Sequence, residues 1–374
     1  MACFAMYISF MFSISFKSLK LDFTLIFILF VCLGMFITDN IFYIYLFYEA
    51  SLVPILYIII KWGSYPERSI RSIILLIYTS FFTFPFLYVL FSIYNTSNTL
   101  CVYLHLNSYL YSLFFSIITF LAFSVKLPIY GLHFWLPIAH VEAPTFGSMI
   151  LAGILLKLGG VGLVRFINIL NIDSLKFFFI GYFCLFLTYA TFVCCLQSDF
   201  KRLVAYSSVS HIITIPIILF SSSFLGFKGI VSVMFMHGVS SPLLFILVGI
   251  MYSITSTRQH VMMRGILCVM PIISFIIVIS FFFNVSAPPL PSFISEVLFV
   301  VSFTHLTNLR LIFLVFFLFF SMVYNLLWFS SINFLNQDLN YNYSFSLSYC
   351  VFMPIIFSIV FMPVIITILF YFMY

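Results

Sequence analysis

Residues 126–165 read KLPIYGLHFWLPIAHVEAPTFGSMILAGILLKLGGVGLVR. They place Lys126, His133, His140, Glu142 and Lys157 in a chain that is otherwise almost uncharged. Pro128 and Gly131 break the helix that ends on Lys126, because proline lacks an N–H and clashes with the preceding turn. Lys157 falls midway along the apolar run 145–168, about as deep in a bilayer as a side chain can go. A lysine at a helix centre costs roughly 2.5 to 3.5 kcal/mol on an insertion scale, so it faces a bundle interior or a water-filled path.

The surrounding chain fits that reading. Of 374 residues, 64% are hydrophobic and 6% charged, against roughly 25% charged in a soluble domain. The fold class is therefore an all-α polytopic membrane protein. The net charge of +6 comes from bases scattered singly between apolar runs, which is no nucleic-acid footprint. The eight cysteines include no C-x-x-C or C-x-x-H spacing that would hold zinc or an iron–sulfur cluster, and no metal or cofactor site is expected in the chain.

Cutting at polar punctuation, with roughly 20 apolar residues per crossing, gives spans at 21–37, 40–60, 68–94, 108–140, 145–168, 174–196, 203–221, 226–252, 263–305, 310–332 and 347–372. The N-terminal segment 1–20 reads as a truncated further helix, so eleven to twelve helices are expected; no basic stretch precedes its apolar run, and a removable signal is not expected. Segments 108–140 and 263–305 are too long for one straight helix, and each is interrupted by proline, at 127–131 and at 284–291. Counted from residue 21, the broken helices are the fourth and the ninth. The expected domains are thus two five-helix repeats, 21–168 and 174–332, followed by a C-terminal helix within 345–374. An odd number of helices inverts the second repeat, and paired discontinuous helices point to a transport site. Alternatively, the prolines merely kink two helices.

Loop charges set the orientation. The face before residue 21 collects Lys17, Lys20, Lys61, Arg68, Arg71, Lys201, Arg202, Arg258 and Arg264; the other face has Arg165, Lys176, Lys228 and Arg310. The basic face is expected to be the inner one.

Glu49, Lys126, Lys157 and Glu296 are charged groups within or beside apolar spans. At about 3 kcal/mol each in lipid they would cost on the order of 12 kcal/mol, comparable to a whole protein's stability, so they must be hydrated, paired or neutralised. His211 and His237 lie inside the seventh and eighth spans beside hydroxyls, and histidine can pass a proton between its two nitrogens. Together the six residues form a candidate proton path. The alternatives are structural salt bridges and histidines satisfied by carbonyls. Ser210 and His211 are neighbours that point apart on a helix, so they are no nucleophile–base pair; the Leu-Gly-Gly-Val-Gly run reads as close helix packing. No motif in the chain harvests chemical energy, so uphill proton movement needs a gradient or a partner.

The run 125–165, the stretch Gln197 to His211, the segment His237 to Phe245 and the stretch Asn284 to Glu296 resemble the antiporter-like membrane subunits of respiratory complex I. Among them they are most similar to the chain 4 family of mitochondrial NADH–ubiquinone oxidoreductase. Chains 2 and 5 usually carry lysine at the second broken helix, where this chain has Glu296. The resemblance implies a multi-pass subunit of the mitochondrial inner membrane, part of a proton-translocating NADH:ubiquinone reductase. Its partners would be the other membrane-arm subunits and the lipid bilayer, with NADH, ubiquinone, flavin and iron–sulfur clusters handled in other subunits. By position, Glu49 and Lys126 match the family's paired acid and base, Lys157 its central carrier, His211 and His237 its connecting relay, and Glu296 its exit group. Family members commonly have about fourteen helices, so this chain begins two to three helices late. Position 138 is Ile where the family usually has a base. The rival readings are a stand-alone cation/proton antiporter and a purely structural spacer.

Overall fold

The computed structural model describes residues 18–63, 65–102, 113–221, 223–260, 263, 271–288, 290–304 and 308–333. The expected C-terminal helix and the first 17 residues lie outside these. The described chain runs as α1 Leu19–Ile37, α2 Ile41–Ala50, α3 Leu52–Trp62, α4 Arg68–Ser97, α5 Leu113–Ser124, α6 Trp135–Glu142, α7 Thr145–Ile150, a π-helical turn Leu151–Leu155, α8 Leu156–Arg165, α9 Ile172–Cys195, α10 Phe200–Ile212, α11 Thr214–Ser221, α12 Phe224–Thr255, α13 Pro271–Val285, α14 Pro291–Thr304 and α15 Asn308–Asn333. Both long segments are broken where proline places the break, between α5 and α6 and between α13 and α14.

Seven of the described helical stretches are long and apolar enough to cross a membrane, and the halves of the broken spans are shorter apolar helices. Their burial sorts them into a centre and a rim. The stretches Thr145–Arg165, Phe200–Ser221 and Leu225–Thr255 are 89% buried over their most apolar window, whereas Leu19–Ile37, Arg68–Ser97 and Leu311–Asn333 are 33% buried. The central three carry Lys157, His211 and His237. The rim presents side chains such as Phe23, Phe30, Phe81 and Phe319 outward, as a lipid-facing surface does.

Lipid tails are as apolar as leucine, so helices here associate through close packing rather than the hydrophobic effect. The glycines of α8 serve that purpose. A Cβ on Gly159 would stand 2.9 Å from the Phe123 carbonyl oxygen, so α8 lies directly against the end of α5, beside the first break.

Two further interruptions follow from proline. The crossing α2–α3 is interrupted at Ser51, three residues before Pro54, and α10–α11 at Ile213, three residues before Pro216. A proline ring clashes with the carbonyl four residues back, here that of Ala50 or Ile212. Prolines also lie inside α4 (Pro85) and α12 (Pro242). The loops are laced in a matching way. Asn40 pairs with Cys101, joining the loop before α2 to the one after α4; Asp199 pairs with Gln259, joining the loop before α10 to the one after α12.

Candidate functional site: a buried line of titratable side chains

At the first break Gly131 adopts φ 79°, a left-handed backbone that glycine takes without steric cost. Backbone carbonyls freed in a membrane must find donors inside the protein, and three aromatic side chains supply them. Trp135 Nε1 donates to Val125 O at 2.8 Å, Tyr182 OH to Tyr130 O at 2.9 Å and Tyr78 OH to Gly131 O. His133 packs as an aromatic ring against Tyr130, Phe134 and Phe186.

Lys126, just before this break, is fully buried. Its ammonium donates to the Tyr48 carbonyl and to Ser51 Oγ (3.0 Å), and lies over the Tyr48 ring at 3.4 Å. The interruption at Ser51 is what leaves that carbonyl open to a side chain. Glu49 is half-buried, with Oε1 buried and unpartnered within the described chain. It lies within electrostatic reach of Lys126, but among the described residues the two form no ion pair; the lysine's direct partners are Tyr48 and Ser51.

The π-helical turn stands immediately before Lys157. In it the Leu156 N–H turns back to Leu151 O, whereas in an α-helix it would bond Ala152 O. The Ala152 carbonyl takes the Lys157 ammonium instead. From there Lys157 Nζ reaches His237 Nδ1 on α12 at 2.7 Å. No sequence signal marks this bulge, since neither proline nor a polar residue stands in Leu151–Leu155.

His237 and His211 lie with ring centroids 6.2 Å apart. Both line a cavity of about 30 Å³ together with Asn284, Ser286, Ser292, Ser295 and Glu296, a volume that admits a water molecule. Asn284 sits against His211, and Ser286 against Glu296. The second break therefore delivers its polar residues to the histidines. Asn284 also donates to Tyr324 OH at 3.2 Å and to Asn325 Oδ1 at 3.0 Å, which ties α13 to α15. Of the six sequence-predicted residues, Lys157, His237, His211 and Glu296 come together; Lys126 and Glu49 form a separate group at the first break.

Sequence reasoning missed a third group. Glu142 is buried and pairs with Arg71 Nη1 at 2.9 Å. Lys201, counted above as a loop base, is buried and donates to Val141 O (3.3 Å) and Ala143 O, carbonyls at the end of α6. Among the described residues no group of His, Cys, Asp or Glu is arranged to hold a metal.

Comparison with known proteins gives this line a family. The family model described as NADH:quinone oxidoreductase/Mrp antiporter, TM, matches residues 38–325. The chain is 38% identical over 296 residues to NADH-ubiquinone oxidoreductase chain 4 of Locusta migratoria, covering 78% of this chain and 66% of that one. It is 38% identical over 317 residues to chain 4 of Ceratitis capitata, covering 83% and 70%. The chain belongs to the NADH-ubiquinone oxidoreductase chain 4 family. It spans about two thirds of the length of these chain 4 relatives. The fold is that of a chain of respiratory complex I from Thermus thermophilus with bound NADH, at TM-score 0.88 and 21% identity over 97% of this chain and 78% of that one. It is also similar to a chain of the Mrp complex from Dietzia sp., at TM-score 0.77 and 14% identity over 90% and 65%. Glu296 lines the same cavity as the two histidines.

Proposed function

We propose that this chain 4 family member carries protons across the mitochondrial inner membrane as a membrane-arm subunit of respiratory complex I. NADH oxidation, quinone reduction and the redox cofactors belong to other subunits. The observation that carries the reading is the contact of Lys157 with His237 at 2.7 Å, continued by His211 and by Glu296 on the same cavity. Each member can accept and release a proton, and His237, His211 and Glu296 share a cavity that admits a water molecule.

Moving one charge through 100 mV requires about 2.3 kcal/mol, which a nearby charge in a low dielectric can supply. Glu49 is such a charge for Lys126. When Glu49 attracts it, Lys126 holds its proton; when that attraction is withdrawn, the proton moves on toward Lys157. Glu296 releases protons on the opposite face. Two inverted repeats, 21–168 and 174–332, are the frame for this. Three matched features support them: Glu49 and His211 each stand five residues before the interrupting proline of their unit's second span, the third spans contain Pro85 and Pro242, and the same loop pairing recurs after an odd number of crossings.

The experiment is Lys157→Met in the assembled complex, with quinone reduction and proton uptake followed together in sealed vesicles. Loss of proton uptake per quinone reduced, at normal assembly on native gels, is the expected result; unchanged coupling overturns the reading. A chain recovered free of any large assembly, by native gel and mass spectrometry, would favour the stand-alone antiporter.

A further inference from the structure

The relay from Lys157 to Glu296 lacks a source of protons on the basic face. A polar cavity of about 450 Å³ opens there, lined by Glu142, Lys201, Arg258 and Arg71 among others. It is far larger than one water needs. Next in the chain to Val141 and Glu142, which line this cavity, His140 is fully buried, with neither ring nitrogen partnered within the described chain.

The placement of His140 is specific. Its ring lies flat on Phe245, with centroids at 4.7 Å and planes 9° apart. Stacking occupies the faces of the imidazole and leaves both nitrogens free at its edge. His140 is within electrostatic reach of Lys201 on one side and Lys157 on the other. On α12, His237, Ser241 and Phe245 stand four residues apart, so they form one stripe along the helix. Lys157 meets the first of them and His140 the last. The eight-residue step from His237 to Phe245 is about 12 Å of helix. Ser241, whose hydroxyl donates to His237 O at 2.7 Å, stands in the middle of the stripe.

We propose that His140 is the proton intake of the relay on the basic face, receiving a proton at one ring nitrogen from the cavity beside Lys201 and Glu142 and releasing the proton of the other toward Lys157. The step is balanced by one proton in and one out, and the ring returns to its first tautomer by rotation or by exchange through water. Lys201, held by the Val141 and Ala143 carbonyls, acts as a positioning residue that fixes the end of α6, the helix that carries His140. The inference rests on the proposed proton-carrying function.

The test uses the assembled complex in sealed vesicles, comparing His140→Phe with Lys157→Met, each scored for proton uptake per quinone reduced and for assembly on native gels. Both variants are expected to lose most of the uptake that passes through this subunit. Native coupling in His140→Phe, with coupling lost in Lys157→Met, overturns the intake and leaves the relay standing. Native coupling in Lys157→Met overturns the relay and the intake with it. If Phe prevents assembly, His140→Gly decides. Added imidazole should restore its coupling, whereas pyrazole, of the same size but a far weaker base, should not. Equal restoration by both, or by neither, assigns His140 to packing.

Discussion

Lys157 Nζ and His237 Nδ1 stand 2.7 Å apart although 80 residues separate them in the chain. When Lys157 is charged it must donate, so Nδ1 accepts and the imidazole proton sits on Nε2. One contact thus couples the lysine's charge to the histidine's tautomer.

Two groups acting as one unit give non-additive losses. Lys157→Met and His237→Leu should each remove most proton uptake per quinone reduced, and the double variant should be no worse than either. Assembly should survive, since an apolar side chain of similar volume avoids the desolvation cost of the buried charge. Summed losses in the double variant, read by the same vesicle assay, would show that the two residues serve separate paths.

Glu296 lines the cavity of the two histidines at a proline-rich break, with Ser286 beside it. Glu296→Gln keeps the shape and the hydrogen bonding but removes the titratable group, so proton uptake should fall strongly with assembly intact. Glu296→Lys restores a titratable group and should retain part of the uptake. Normal uptake in the Gln variant would leave Glu296 a structural residue.

Lys126 is held mainly by the Tyr48 carbonyl, which the interruption before Pro54 exposes. Ser51→Ala removes two hydrogen bonds, the one Ser51 Oγ accepts from Lys126 and the one it donates to the Tyr48 carbonyl, each worth about 1 kcal/mol, but leaves the Tyr48 carbonyl on the lysine and should leave coupling nearly unchanged. Pro54→Ala lets the helix close over that carbonyl and should be the more damaging of the two, although the mutated residue does not touch the lysine. Glu49→Gln and Lys126→Met should show coupling in a double-mutant cycle; strict additivity would mean that the two never interact.

Gly159 is where α8 meets the carbonyl of Phe123. Gly159→Ala should cost about 1–3 kcal/mol by overpacking, lowering the thermal midpoint of the assembled complex, whereas Gly181→Ala, with open space around it, should leave that midpoint in place.

The orientation is checked with an impermeant thiol reagent. Cys101 is exposed at the end opposite the basic loops, and Ser256 lies in one of those loops. Reagent added to the outer side of the inner membrane should label Cys101 and spare a cysteine placed at Ser256. Labelling at 256 without permeabilisation would reverse the topology.

The sequence alone determined the crossings and their breaks, because both are local. An apolar run of the right length must span, and Pro128 or Pro291 interrupts its own helix wherever that helix packs. The interruptions before Pro54 and Pro216 obey the same local rule, but the expected spans 40–60 and 203–221 ran through them unbroken. The buried titratable residues were legible as a set, since a charge in an apolar run is costly in any fold.

Only the tertiary structure decided the partners. That Lys157 takes Ala152 O depends on a π-helical turn without proline or polar residue, and its contact with His237 depends on how α8 is rotated against α12. Glu49 and Lys126 seemed a direct pair by sign of charge, yet a backbone carbonyl holds the lysine. Lys201 looked like a loop base beside Asp199 and Arg202, and the end of α6 buries it. His140 stood in the stretch that decides the fold, but outside the six residues of the expected proton path. The physical reason is the same in each case. A helix apolar on every side has no periodicity to say which face turns inward, so the azimuth that brings two side chains together is set by packing between helices distant in the chain.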